Sequence, residues 1–432
     1  MSSVRVRMYR QGLGDCFLLT FSRADGSSWQ VLIDCGALKG TPDVTARMEA
    51  VAADIRDATG GHIDVLVATH EHWDHLSGFL QASDVFETLT IGEVWVAWTE
   101  DPDDDLANEL RGRRQQARRA LRQALQGLAG TAEAEQIEAL LDFEGDIGAD
   151  GHATTRDALD WVKGRGSLRF LRPGERAPAA VAGVNAYVLG PPHDRTQIKR
   201  SDPTASGREV YELGGTAGDD RGFYAAVGAL ETDDERPFDR FFCVPEAEAG
   251  AFAGEYLGEA WRRIDRDWLG VATRLALQLN SDTNNTSLVL AFELGDGGPV
   301  LLFPGDAQVG NWLSWGALTW PRTDGSVVRS DDLLARTVLY KVGHHGSHNA
   351  TLRERGLELM TSPDLVAMIP VDRETARKKG WAMPFPPLFD RLTEKTRGRI
   401  LDAEQGRLGA GWGALEPRTG VEQWFLDYTV EW

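Results

Sequence analysis

Thr69-His70-Glu71-His72-Trp73-Asp74-His75 follows directly on residues 63–68, a short run that is apolar throughout except at Asp64. Such a run is the pattern of a strand buried on both faces. On a tight loop after that strand, His70 and His72 point the same way and can share one cation. Asp74 and His75 can then reach a second cation a few ångströms away. Imidazole with carboxylate suits zinc, with manganese or iron as further options. Histidine is scarce in the chain, and six of its nine copies fall within 70–75 and 344–348. Histidines that merely satisfy core hydrogen bonds would not bring an aspartate into the same cluster at a strand end.

Outward from this loop, the N-terminal part reads as paired strands at 4–9, 16–21 and 29–34, with Gly12 and Gly14 as turn glycines. Residues 43–58 carry apolar positions at helical spacing (Val44, Met48, Val51, Ile55), closed by Gly60-Gly61. Further strands are expected at 91–98, 167–171, 184–189, 287–293, 300–303, 338–342 and 365–371. Strands and helices are interleaved, and the polar motifs follow apolar strands. This is the pattern of an α/β layered fold that carries its site on loops.

Two stretches depart from that pattern. Residues 99–165 read as a helical insertion and 196–275 as a second, mixed one, with a helical stretch near 255–269. The arginines of the first (Arg111, Arg113, Arg114, Arg118, Arg119, Arg122) read as a solvated helix face balanced by nearby acids rather than as a nucleic-acid contact.

The net charge of −20 argues against a broad basic surface of the kind that binds duplex DNA. A phosphate substrate remains compatible with it, because two divalent cations in a cleft would invert the local potential. No run approaches the ~20 apolar residues needed to span a bilayer. The start lacks the apolar region of a signal peptide. Cys16, Cys35 and Cys243 are too widely spaced for a disulfide framework or a metal pair. A cytoplasmic protein with reduced thiols is the expectation.

Two distant acceptors complete the histidine loop. Asp306 ends the strand 300–303 in a Gly-Asp turn, and is a candidate to bridge two metals through its two oxygens. His345, at another strand end, would complete the second metal.

With these in place the chain resembles the metallo-β-lactamase superfamily, in particular the subgroup of the soluble nuclease-like domain of ComEC/Rec2 DNA-uptake proteins. The matching pieces are GLGDCFLL (12–19), VLIDCG (31–36), THEHWDH (69–75), NNTSLVL (284–290), LLFPGD (301–306) and KVGHHGS (341–347). The resemblance runs to about residue 372. It implies one αββα sandwich domain over 1–432, interrupted by the two insertions, with the metals at the mouth between two sheets. It carries over His70, His72, Asp74, His75, Asp306 and His345 as ligands of two divalent ions, zinc favoured over manganese or iron. His344 is either the ligand in place of His345 or a general acid beside it. One departure stands out. Many members have a histidine where this chain has Asp282-Thr283-Asn284-Asn285, so that either Asp282, an Asn amide or His193 serves one metal or that metal binds weakly.

The chemistry implied is attack by a metal-bridging hydroxide, with Asp74 and His344 as catalytic residues. Asn284, Asn285, Ser347 and His348 are candidate substrate contacts. Arg377-Lys378-Lys379 reads first as a solvated turn and second as a holder of substrate oxygens. The expected activity is a phosphodiesterase or nuclease acting on single-stranded nucleic acid or nucleotides. The alternatives are hydrolysis of another ester or amide (a lactone, thioester or β-lactam), or a partner-binding module with a vestigial metal site that docks through the insertions.

Overall fold

Strands buried on both faces build the frame. In the computed structural model, which describes residues 2–23, 26–128, 132–145, 153–200 and 269–432, eighteen strands form two large mixed sheets and one small hairpin. The first sheet is built from β1 (Ser3–Tyr9), β2 (Cys16–Ser22), β3 (Ser28–Cys35), β4 (His62–Ala68), β5 (Thr90–Ala97) and β6 (Ser167–Leu171). The second holds β7 (Arg176–Ala177), β8 (Val184–Gly190), β9 (Val289–Leu294), β10 (Val300–Phe303), β13 (Thr337–Lys341), β14 (Val366–Ile369), β15 (Ile400–Asp402) and β16 (Gly406–Leu408). The hairpin pairs β11 (Thr319–Pro321) with β12 (Val327–Arg329). Finally β17 (Thr419–Val421) and β18 (Phe425–Glu431) return to the first sheet, β18 pairing antiparallel with β1.

Alternate residues of each strand face opposite sides, so each strand feeds two cores. Val4, Val6, Phe17, Leu19, Val31 and Val67 from the first sheet share one buried cluster with Val188, Leu290, Phe292, Leu301, Phe303 and Leu339 from the second. The Phe17 and Phe303 rings meet edge to face at 5.7 Å across that interface. The opposite faces carry helices. On the first sheet Leu18, Leu66 and Val94 pack with Met48 and Val51 of α1 (Val44–Thr59) and with Leu76 and Phe79 of α2 (Trp73–Gln81). On the second, Tyr187, Val289 and Leu302 pack with Trp312, Leu333 and Leu388.

Parallel pairing decides where the loops go. β3, β4, β5 and β6 run parallel, as do β10, β13, β14 and β15. Their C-terminal ends therefore present their loops on common edges of the two sheets, and the stretches around Asp34, His70–His75, Asp306 and His344-His345 lie there.

The first insertion divides. Its helices α3 (Asp105–Leu128) and α4 (Ala132–Leu141) pack Leu121, Ala124, Ile137 and Leu141 against Leu275 and Leu279 of a later helix, α6 (Leu269–Asn284). Its last helix, α5 (Thr155–Lys163), instead buries Ala158, Leu159 and Val162 in the α1–α2 layer. Composition alone joins α5 to the insertion, but its apolar stripe belongs to the layered body. Most of the second insertion, including Cys243 and all but the last residue of the helical stretch near 255–269, lies outside the described residues. Cys16 and Cys35 are free and buried, opposite one another on β2 and β3. Among the described residues no helix is long and apolar enough to cross a membrane.

Candidate metal centre

Three loops meet at the sheet edges. The first leaves β4 as Thr69–His72 and enters α2 at Trp73. Its shape is set by Asp34, at the end of β3, whose carboxylate accepts from the Thr69 N–H at 2.8 Å and the Thr69 hydroxyl at 2.7 Å. The second loop leaves β10 as Pro304-Gly305-Asp306, and the Asp306 N–H donates to the Ser287 hydroxyl at 3.0 Å. The third leaves β13 as Gly343-His344-His345-Gly346. His344 (φ 45°) and His345 (φ 53°) both lie in the left-handed region, which non-glycine residues adopt at a cost.

Glycines let the loops touch. A Cβ on Gly36 would lie 2.5 Å from the Asp74 carbonyl carbon, and one on Gly14 would lie 2.5 Å from the Asp74 carbonyl oxygen. The same contact is tied by the Asp15 N–H donating to the Asp74 carbonyl at 3.0 Å.

These loops bring together Asp74, His75, Asp306 and His345, whose donor atoms all lie within 4.8 Å of one another. His345 Nε2 is 2.9 Å from Asp74 Oδ2, and His75 Nε2 is 3.2 Å from Asp306 Oδ2. All four side chains are fully buried. His70 and His72 lie beside this group: His70 Nε2 faces His72 Nδ1 at 3.0 Å, and the His70 and His75 rings are 4.2 Å apart. Asp74 Oδ1, His75 Nε2, Asp306 Oδ2 and both ring nitrogens of His344 are buried without a hydrogen-bond partner. Buried polar atoms in folded proteins are almost always satisfied. Unpartnered nitrogens and carboxylate oxygens converging on one point are a donor set that fits a divalent cation.

Three of these side chains are oriented from behind. His75 Nδ1 lies 2.7 Å from Asp34 Oδ2, His345 Nδ1 lies 2.6 Å from the Pro370 carbonyl, and His70 Nδ1 lies 3.0 Å from the Thr69 hydroxyl. Lys341, at the end of β13 and 1% exposed, contacts Asp15, Asp306 Oδ1 (3.2 Å) and the Gly305 carbonyl (2.8 Å). Asp306 Oδ1 also accepts from the His344 N–H at 3.0 Å. Asp306 Oδ1 thus accepts from Lys341 and from the His344 N–H, while Oδ2 lies beside His75 Nε2.

The electrostatics follow from three buried carboxylates, Asp15, Asp34 and Asp306, around the Lys341 ammonium. Burial pushes the Asp15 carboxyl up, with Lys341 opposing it. Burial disfavours the His75 cation, yet Asp306 and Asp74 outweigh it and hold His75 well above the usual histidine range. Burial also acts against charge on Asp306, but His75 and Lys341 pull it well below the carboxylate range. Burial lowers His344 to about 4, with Asp306 and Asp74 only partly opposing it, leaving a neutral imidazole.

The arginines of α3 do not all form a solvated face. Arg114 (7% exposed) donates to Glu71 at 2.8 Å and Arg118 donates to Glu71 at 2.9 Å. Arg118 also pairs with Glu144, and Glu144 Oε1 lies 3.3 Å from His72 Nε2. Glu144, also buried, is held at about 2: burial opposes its charge, but Arg118 and His72 outweigh it. Beside it Phe143 stacks on Trp381 (4.9 Å, 25°) and contacts the His72 ring at 5.6 Å, while Asp142 pairs with Lys379. Lys379 is thus not part of a solvated turn, whereas Lys378 pairs only with Glu374 on its own helix.

The other sequence candidates fall in different places. His193 pairs with Asp104 at 2.9 Å and lies against Trp98, and Asp282 accepts from Gln278. Neither joins the cluster. Asn285 is occupied structurally: its amide donates to the Ile198 and Arg200 carbonyls, and its oxygen accepts from the Gln308 and Asn311 N–H groups. The Ser347 hydroxyl donates to Asn349, and His348 is exposed near Phe385. Asn284 donates to Asn280 and keeps a buried, unpartnered Oδ1. Sequence reasoning passed over the roles of Asp15, Asp34, Glu71, Glu144 and Lys341. A lysine inside the apolar run 338–342 was the one local signal for the last. Set beside known proteins, the chain matches no protein-family model and no curated protein.

Proposed function

We propose that this chain is a metal-dependent hydrolase of the metallo-β-lactamase superfamily, close to the ComEC/Rec2-like subgroup, that cleaves phosphodiesters. The observation that carries the reading is the group Asp74, His75, Asp306 and His345, drawn from both sheets and retaining buried, unpartnered donor atoms. Two sheets sharing a core, with helices on their outer faces, are compatible with the αββα sandwich of that superfamily.

In this reading Asp74, His75, Asp306 and His345 hold one cation, and His70 and His72 hold a second. Bound zinc would lower the pKa of a water towards ~7 and offset charge building on the phosphate oxygens. The chain's own residues supply the rest. Lys341 and the His344 N–H fix Asp306 Oδ1, and Asp34 fixes the His75 ring. His344, buried and neutral with both ring nitrogens unpartnered, can accept the proton released by the attacking water and donate it to the leaving oxygen. The preference for phosphodiesters rests on the motif resemblance, and the charge of −20 favours single strands or nucleotides over duplex DNA.

The test is metal content measured alongside cleavage of a bis-aryl phosphate, an aryl ester, single-stranded DNA, RNA and cyclic nucleotides. Bound metal and phosphodiester cleavage, both lost in Asp74→Ala, are expected. Bound metal with cleavage of the ester alone would reassign the chemistry. A purified protein that takes up no divalent metal would overturn the reading.

A further inference from the structure

A metal-binding imidazole uses one nitrogen for the ion, and its other N–H needs an acceptor that fixes tautomer and ring orientation. Of the four histidines assigned above as ligands, three find that partner within the layered body: His75 on Asp34, His345 on the Pro370 carbonyl and His70 on the Thr69 hydroxyl. His72 turns Nδ1 towards His70, which leaves Nε2 facing away from the centre. What it faces is Glu144 Oε1, at 3.3 Å, within ion-pair distance although the two atoms are not aligned as a hydrogen bond.

Glu144 reaches that point because the insertion delivers it. Residues 142–144 continue directly from α4, and α4 packs on α3 and α6 through Ile137, Leu141, Leu121 and Leu279. From α3, Arg118 pairs with both Glu144 and Glu71, and Arg114 pairs with Glu71. Glu71 is 3% exposed, Glu144 4% and Arg114 7%. Buried charges of this kind are tolerated only in well-formed pairs, and here two guanidinium groups balance two carboxylates. Glu71 belongs to the metal loop itself, between His70 and His72, so the arginines grip the loop at one carboxylate and support its histidine through the other.

We infer that Glu144 is a positioning residue for His72, held by Arg118, and that the helical insertion thereby completes the His70–His72 half of the centre. The inference rests on the metal-binding reading given above. It assigns the insertion a task inside the site rather than a docking surface for a partner.

The test uses the full chain with Co²⁺ or Zn²⁺ as the probe, titrated against a chromophoric chelator, with the metal-free thermal transition recorded for each variant. Glu144→Gln is expected to weaken one bound equivalent on the order of 10–100-fold and to leave the tighter equivalent unchanged. Glu144→Asp should recover part of that loss, and Arg118→Ala should weaken the same equivalent less. The unaffected equivalent is the internal control, since general loosening of the fold would weaken both. Equal affinities in parent and Glu144→Gln, whatever the thermal transition does, would reduce the network to an anchor for the insertion and overturn the inference. A parent chain that binds no metal would instead overturn the metal-binding reading beneath it.

Discussion

Asp74, His75, Asp306 and His345 come from both sheets, whereas His70 and His72 come from a single loop. The first group is braced by residues of the strand ends, Asp34 and Lys341, which sit in the body of the fold. The second leans on Glu144 and on arginines of a helix that lies outside the two sheets. Two halves of one centre thus differ in what a mutation elsewhere can reach. The four-donor half should fail only when the layered core is disturbed, and the two-histidine half should respond to changes in the periphery.

The harshest way to probe this contrast is Lys341→Met. It leaves Asp15 and Asp306 buried without their cation and should cost about 3–5 kcal/mol of stability in urea unfolding. Saturating divalent metal should return part of the loss. A cost near zero would mean that the four-donor half does not depend on its buried ammonium. Next in size, metal at about a hundred times its Kd should stabilise the parent by about 2.7 kcal/mol. His72→Ala should keep most of that gain and Asp74→Ala should lose it, as read from thermal unfolding with and without metal. The reverse order would invert the comparison.

Thr69→Val strikes the junction, since its hydroxyl serves both Asp34 and His70. It should cost about 1–3 kcal/mol and weaken both metal equivalents in the chelator titration. Loss confined to one equivalent would show that the halves are independent. The smallest effect is expected from His193→Ala, which should leave metal content unchanged because His193 is paired with Asp104. Burial pushes Asp104 up, but the Ala107 N–H, His193 and Arg172 outweigh it and bring it to about 2. A carboxyl held below its unfolded value adds stability that is present above about pH 4 and fades as the pH falls towards 2. Removing His193 should therefore move the acid limb of a thermal-stability profile towards neutral pH, by less than about 1 kcal/mol.

The chain's periodicity made the frame legible. The strand span 300–303 coincides with β10, because residues facing two cores must be apolar on both sides. The histidine loop stood out because histidine is scarce in the chain and is clustered there. Partners contributed by distant segments were not. Glu144 carries no local mark, being an acid in an acid-rich stretch, and only the packing of α4 on α3 and α6 brings it to His72. The arginines of α3 misled for a related reason: a helix wheel cannot distinguish a face turned to water from one turned to buried carboxylates. Asn285 looked available to a substrate because its type suits hydrogen bonding, and its four bonds to neighbouring backbone became visible only in the fold.

Gly14 and Gly36 press on the Asp74 backbone with no room for a methyl group on either. Segments that look like three separate words in the sequence, 12–16, 34–37 and 69–75, are therefore one object in inheritance. A lineage cannot alter one of those glycines and let the histidine loop drift to suit, because the loop's own position is what the glycine permits. Divergence around this centre should accumulate in the helices that surround it, and the three short segments should be passed on together or lost together.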